Sequence, residues 1–210
     1  MKRILFLFSA LFFVAVTVSA KKVKVTIDGT VSPSQTTLYL IVNEDTAHAQ
    51  LLPIVDGHFS VTLKVDSNDF IRLHDWKEWP ERAAFVLIPD SRHITVNWRD
   101  GSIEGSKMSK KLKEVCREIQ NKSPEGFHID VFSDDPEAWK EAHETGNRIR
   151  QQMLMEQRET ILRSVKENRD NVIPAWIVFC YYNLLDEHFK HEVDATLGMW
   201  QKHPILKLLR

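Results

Sequence analysis

From Lys22 to about Gly105 the apolar side chains recur at every second position. Val23, Val25 and Ile27 alternate with Lys22, Lys24 and Thr26, which predicts a strand with one solvated face. Asp28-Gly29 and Ser32-Pro33-Ser34 predict a turn after it. Thr37 to Asn43 is apolar on both faces, with Leu38, Leu40 and Val42 on one and Tyr39 and Ile41 on the other, as in a central strand. Leu51 to Val55 leads through Asp56-Gly57 into Phe59, Val61 and Leu63, a predicted hairpin. Phe70 to His74, Ala84 to Ile88 and Ile94 to Trp98 are further strands. About seven short strands at this spacing predict an antiparallel sandwich or open barrel.

After Gly105 the period becomes 3.6. Ser106 is placed to cap a helix whose apolar face is Met108, Leu112, Val115, Cys116 and Ile119, and Ser123-Pro124-Glu125-Gly126 ends it. Asp134-Asp135-Pro136-Glu137 is a helix start, with a carboxylate cap and proline in the first turn. That helix is predicted to run to about Asn168, with Trp139, Ala142, Gly146, Ile149, Met153, Ile161 and Val165 near one stripe. Glu144–Arg148 and Glu159–Arg163 are spaced as i,i+4 ion pairs. Asn171 is placed to cap a helix apolar all round from Ala175 to Tyr182, and therefore buried. A last amphipathic helix carries Phe189, Val193, Leu197 and Trp200, and Ile205 to Leu209 opens an apolar segment after Pro204. The predicted class is α+β: a β-sandwich-like domain at 22–105, then a helical region at 106–210.

The first twenty residues follow a different rule. Lys2 and Arg3 precede an uncharged apolar run from Ile4 to Val18, and Val18-Ser19-Ala20 places small residues at the −3 and −1 positions. This is the pattern of a secretory signal peptide cleaved after Ala20. The run is shorter than the roughly 20 residues that cross a bilayer. The expected product is periplasmic or secreted, with no membrane span left after cleavage.

Charge narrows the partners. The chain has 28 Lys and Arg against 29 Asp and Glu, a formal charge of −1, and loss of Lys2 and Arg3 makes it more negative. A nucleic-acid binder needs a basic footprint, so no nucleic-acid partner is expected. Two cysteines are too few for a disulfide-stapled scaffold. Six tryptophans and eleven phenylalanines supply large apolar surfaces, so a packed core must carry stability.

Several short segments carry a family resemblance. Val55-Asp56-Gly57-His58-Phe59, then Phe85-Val86-Leu87-Ile88-Pro89 with Ile94-Thr95-Val96, then Ile103-Glu104-Gly105-Ser106 resemble the hairpins and closing glycine of a Bacteroidota domain of unknown function. Asn168-Arg169-Asp170-Asn171-Val172-Ile173-Pro174 and His203-Pro204 are similar to that family's helix entry and to the approach to its linker helix. In that family the domain precedes a thioredoxin-like domain of periplasmic thiol–disulfide interchange proteins. Asp90 stands where the family's hairpin glycine is usual, and no C-x-x-C occurs. The sequence ends within the segment that matches the linker helix, so no catalytic residue is carried over.

Candidate site residues are few. Cys116 and Cys180 could form a disulfide in an oxidising compartment, or be buried thiols on apolar helix faces. Trp76 and Trp79 flank a polar loop and could stack on a sugar or anchor a protein partner, or fold back over the sandwich. His188 and His191, at i,i+3 beside Glu187 and Glu192, have a spacing that could hold a metal but lack a third ligand at a defined distance. His58, His74 and His93 are a possible cluster on the β domain. Asp134 and Asp135 are accounted for by helix capping.

No catalytic residue, cofactor or metal is assigned from the sequence. The expected function is an exported, non-catalytic envelope module that binds or positions a protein partner. The alternatives are a glycan-binding protein using Trp76 and Trp79, and a truncated thiol–disulfide oxidoreductase.

Overall fold

The structure is a computed structural model and describes residues 21–31, 35–75 and 85–209. The leader and both loop tryptophans, Trp76 and Trp79, lie outside the described residues.

Among the described residues, eight strands form two four-stranded sheets: β1 (Lys22–Thr30), β2 (Leu38–Val42), β3 (Gln50–Leu52), β4 (His58–Asp66), β5 (Ile71–His74), β6 (Phe85–Leu87), β7 (His93–Asn97) and β8 (Ser102–Glu104). One sheet has the order β4-β1-β7-β8 and the other β3-β2-β5-β6. Alternation decides which side chains meet between them. Val25, Ile27, Phe59, Val65, Ile94, Val96 and Ile103 point in from the first sheet; Leu38, Leu40, Leu52, Ile71, Leu73, Phe85 and Leu87 point in from the second. Trp98 packs against this core, its ring 4.7 Å from that of Phe85.

Two sequence expectations change here. Asp28-Gly29 is not a turn: β1 runs through it and pairs with β4 from Lys22↔Asp66 to Thr30↔His58. Gly29 is needed because a Cβ there would overlap the Val96 carbonyl oxygen of β7. Asp56-Gly57 does make a tight turn, with φ of 52° and 75° closing a Val55–His58 bridge. Its flanking strands are not hairpin partners, however, because β3 joins one sheet and β4 the other. The two sheets are antiparallel-rich, as expected, with one parallel pair, β1 beside β7.

The helices are α1 (Lys107–Gln120), α2 (Pro136–Glu167), α3 (Ile173–Tyr181) and α4 (Glu187–Leu197), followed by 3-10 turns at Gly198–Lys202 and Pro204–Leu209. Ser106 caps α1 by accepting from the Ser109 N–H, and Asp135 caps α2 by accepting from that of Glu137. Neither anticipated i,i+4 pair forms. Arg163 reaches Glu118 on α1, and Arg148 reaches the Thr145 hydroxyl. In α3, Ile173 to Val178 are buried but Cys180 reaches the surface. Ile205 and Leu206 fold back into the helical core.

That core also takes Phe70 and Ile88 from the sandwich. The Phe70 ring lies 5.0 Å from Trp176 and 5.2 Å from His203. Beside it the Ile88 N–H donates to Ser109 Oγ at 2.8 Å, while the buried Ser106 hydroxyl donates to the Ile88 carbonyl at 3.2 Å. Sheet and helices are thus joined by aromatic packing and a satisfied buried polar group. No helix among the described residues is long and apolar enough to cross a membrane.

Candidate functional site

Strand alternation sends a row of polar side chains to the outer face of the β4-β1-β7-β8 sheet. A concavity of about 730 Å³ opens there, lined among others by Asp28, Thr30, His58, Ser60, Thr95 and Asn97. His93 Nε2 sits 2.7 Å from Asp28 Oδ1, and Thr95 Oγ1 lies 3.4 Å from both Asp28 Oδ2 and His93 Nε2. A carboxylate, imidazole and hydroxyl together suggest a nucleophilic triad, but the connectivity is wrong. A triad needs the carboxylate on one ring nitrogen and the hydroxyl on the other. Here both address Nε2, so the ring cannot be oriented by one group and take a proton from the other. This is a cross-strand polar ladder, continued by Thr30 Oγ1 to Asn97 Oδ1 at 3.1 Å.

The three β-domain histidines do not gather. His58 stands opposite Thr30 and His93 opposite Thr26 along β1, while His74 is fully buried in the other sheet. His74 Nδ1 is 3.4 Å from Asp75. On the same strand the buried Arg72 donates through Nε to Glu44 Oε1 at 2.7 Å. Glu44 is held there by a left-handed backbone, φ 61°, with Asn43 before it at 50°. Asn43 accounts for that bend: its amide bonds Asp69 at 2.7 Å and accepts the Phe70 N–H at 2.9 Å. The pair is buried and mutually neutralised, so its position in the sheet reads as structural.

The helical candidates separate in the same way. His188 pairs with Glu192 at 3.1 Å, and Lys166 shares that carboxylate. Among the described residues no group of three ligating side chains assembles that could hold a metal. Cys116 and Cys180 are free thiols. Burial pushes the Cys116 thiol up to about 11, and a hydrogen bond with Tyr181 opposes the shift. Cys180 is raised too, by surrounding protein first and then by Cys116 and Glu44 nearby. Its side chain keeps solvent contact. Two thiols held neutral are poor nucleophiles.

The feature that sequence reading missed is the outer half of α2. Only Gln157 to Val165 of this helix is buried in the core. The preceding twenty or so residues stand off the body for about 30 Å, at 1.5 Å per residue. The connection from α1 runs back along this arm in reverse order. Lys122 pairs with Glu156 at 3.2 Å, the Phe127 carbonyl accepts from Arg150 at 3.3 Å, and the Ser133 carbonyl accepts from Trp139 Nε1 at 2.6 Å. Between them a Cβ at Gly146 would lie 3.2 Å from Ile129. The predicted stripe of Trp139, Ala142, Gly146, Ile149 and Met153 therefore meets an irregular loop rather than a helix at Trp139 and Gly146. The cover is incomplete, with Phe132 96 % and Trp139 45 % exposed. The stripe itself was legible; that its upper half would leave the core was not, since periodicity marks a face but not what covers it.

Fold and surfaces define an α+β molecule, a two-sheet sandwich sharing a hydrophobic junction with a helical region that carries a projecting arm. Comparison with protein-family models, with curated proteins and with solved structures gives no match.

Proposed function

We propose that this chain is an exported, non-catalytic module of the cell envelope that binds or positions a protein partner. This is also what its resemblance to the non-redox portion of thiol–disulfide interchange proteins implies. The observation that carries the reading is the arm, where Phe132 and Trp139 stay exposed beside an apolar stripe. Exposed aromatic anchors on a projecting element are the kind of group that dominates protein interfaces. The acidic, apolar character of the tip, with Asp130, Asp134 and Asp135 around Phe132, suits a partner surface that is apolar with a basic rim.

A photo-crosslinking residue at position 132 or 139, in cells that export the protein, is expected to give one discrete protein adduct at both positions. The same residue at Leu51, an exposed apolar position on the sandwich, serves as the control. Adducts at neither arm position, or the same adducts at Leu51, would remove this reading.

A further inference from the structure

The arm has a second face. Glu137, Glu141 and Glu144 follow i,i+4,i+7 spacing and form one exposed stripe, roughly opposite Trp139 on the helix. Met155 lies eighteen residues, or five full turns, beyond Glu137 and so points the same way; it is 47 % exposed. On α1, Lys107, Lys110 and Lys111 form another exposed stripe, turned away from the buried Leu112 and Ile119. Among the described residues these six charges form no ion pair, whereas neighbouring Lys122, Glu118 and Arg163 do. The three lysines also occupy the positive end of their helix, where the first turn itself holds no acid and a single carboxylate, Asp90, accepts the Met108 N–H at 2.9 Å. That placement is unfavourable in the isolated chain. An acidic surface brought in from outside would reverse the sign.

The distances allow a second copy to supply it. Glu118, Ile119 and Lys122 meet Arg163, Gln157 and Glu156 in opposite order, so α1 and α2 run antiparallel. The lysines lie about 20 Å to one side of the Glu156 level and the glutamates about 20 Å to the other, at 1.5 Å per residue. A two-fold axis midway falls beside Met155. We propose that two copies dock antiparallel about this axis. Glu137, Glu141 and Glu144 of each then face Lys107, Lys110 and Lys111 of the other, with the two Met155 side chains meeting at the centre. Such an interface is isologous and closes at the dimer. It uses the face of the arm opposite Phe132 and Trp139, so it leaves the aromatic anchors open and does not depend on the function proposed above.

Charge exchange on the purified protein tests it by sedimentation velocity. The wild type is expected to dimerise at tens of micromolar in low salt and to dissociate as screening increases. Glu137→Lys/Glu141→Lys/Glu144→Lys and Lys107→Glu/Lys110→Glu/Lys111→Glu change only exposed residues, and circular dichroism confirms that each folds. Each variant alone sets like charges opposite each other at both contacts and is expected to be monomeric, with Kd raised more than roughly 100-fold. Mixed one to one, every contact is again of opposite sign, and a heterodimer is expected to return. A monomeric wild type, variants that still dimerise alone, or a mixture that stays monomeric would each overturn the proposal. A crosslinked partner at positions 132 and 139 beside a monomeric wild type would leave the module reading standing while this one fell.

Discussion

Burial disfavours the charged form of His203, and its two ring nitrogens make different bonds. Nε2 lies 2.9 Å from the Asn68 carbonyl and must carry the proton to donate there; Nδ1 then accepts the Ile205 N–H at 3.3 Å. A second proton would cost the Ile205 bond and place a charge beside the Phe70 ring. Burial accordingly lowers the His203 pKa from its ordinary 6.5, with the Asn68 carbonyl and Asp69 opposing. The unfolded chain therefore binds more protons than the folded one once pH falls below that ordinary value. The stability contributed is present above about pH 6.5 and is lost as pH falls toward the folded pKa. Urea midpoints should drop more between pH 7.5 and 5.5 for the wild type than for His203→Gln, because other groups titrate alike in both. Equal drops would mean that His203 is not the group resisting protonation.

At the scale of elements, β1 organises the sandwich, since it pairs antiparallel with β4 and parallel with β7. Gly29 sits where those two pairings meet, between Phe59 and Val96. Gly29→Ala would gain a residue better suited to a strand but must displace the Val96 carbonyl, which is backbone and cannot rotate away. A loss of about 1–3 kcal/mol is expected in denaturant titration. Gly57→Ala offers the contrast: its φ of 75° is strained for alanine, but only the Val31 carbonyl lies near, so its cost should come from the backbone alone. Gly29 also marks how far the chain could be read. Asp-Gly is turn chemistry at Asp56-Gly57 and a close strand approach at Asp28-Gly29, and the local sequence is nearly the same. What differs is β7, almost seventy residues away, which no local rule consults. The caps at Ser106 and Asp135 were legible because their chemistry is complete within three residues. The Glu159–Arg163 pair expected within α2 failed for the converse reason, since α1 offered Arg163 a carboxylate from outside its own helix. The candidate surface followed suit. Its residues were visible as a stripe, but its exposure depends on where the α1–α2 connection runs.

On the scale of the molecule, two hydrophobic cores meet through very few side chains. The sandwich core holds Ile27, Leu40, Leu73 and Ile94, the helical core Ile161, Val165, Ile177 and Val193, and Phe70 with Ile88 belongs to the second while standing on the first. Phe70 is tied to the sandwich by main-chain bonds to Asn43 and to the helices by the Trp176 and His203 rings. If that junction makes the two parts unfold together, Phe70→Ala should do more than lower stability by the 3–5 kcal/mol or so usual for an emptied aromatic site. It should also reduce cooperativity, because this contact crosses between the two cores together with the neighbouring Ser106–Ser109–Ile88 bonds and the His203–Asn68 bond. Calorimetry separates the two effects: wild-type protein is expected to unfold in one transition with matching calorimetric and van't Hoff enthalpies. Phe70→Ala should give a calorimetric enthalpy exceeding the van't Hoff value, or two resolved peaks. Leu73→Ala, equally buried but wholly inside the sandwich, should lower the midpoint of that transition first and serves as the control. A single unbroken transition in Phe70→Ala would place the coupling elsewhere, and the Ser109 bonds to Ile88 would be the next contact to remove.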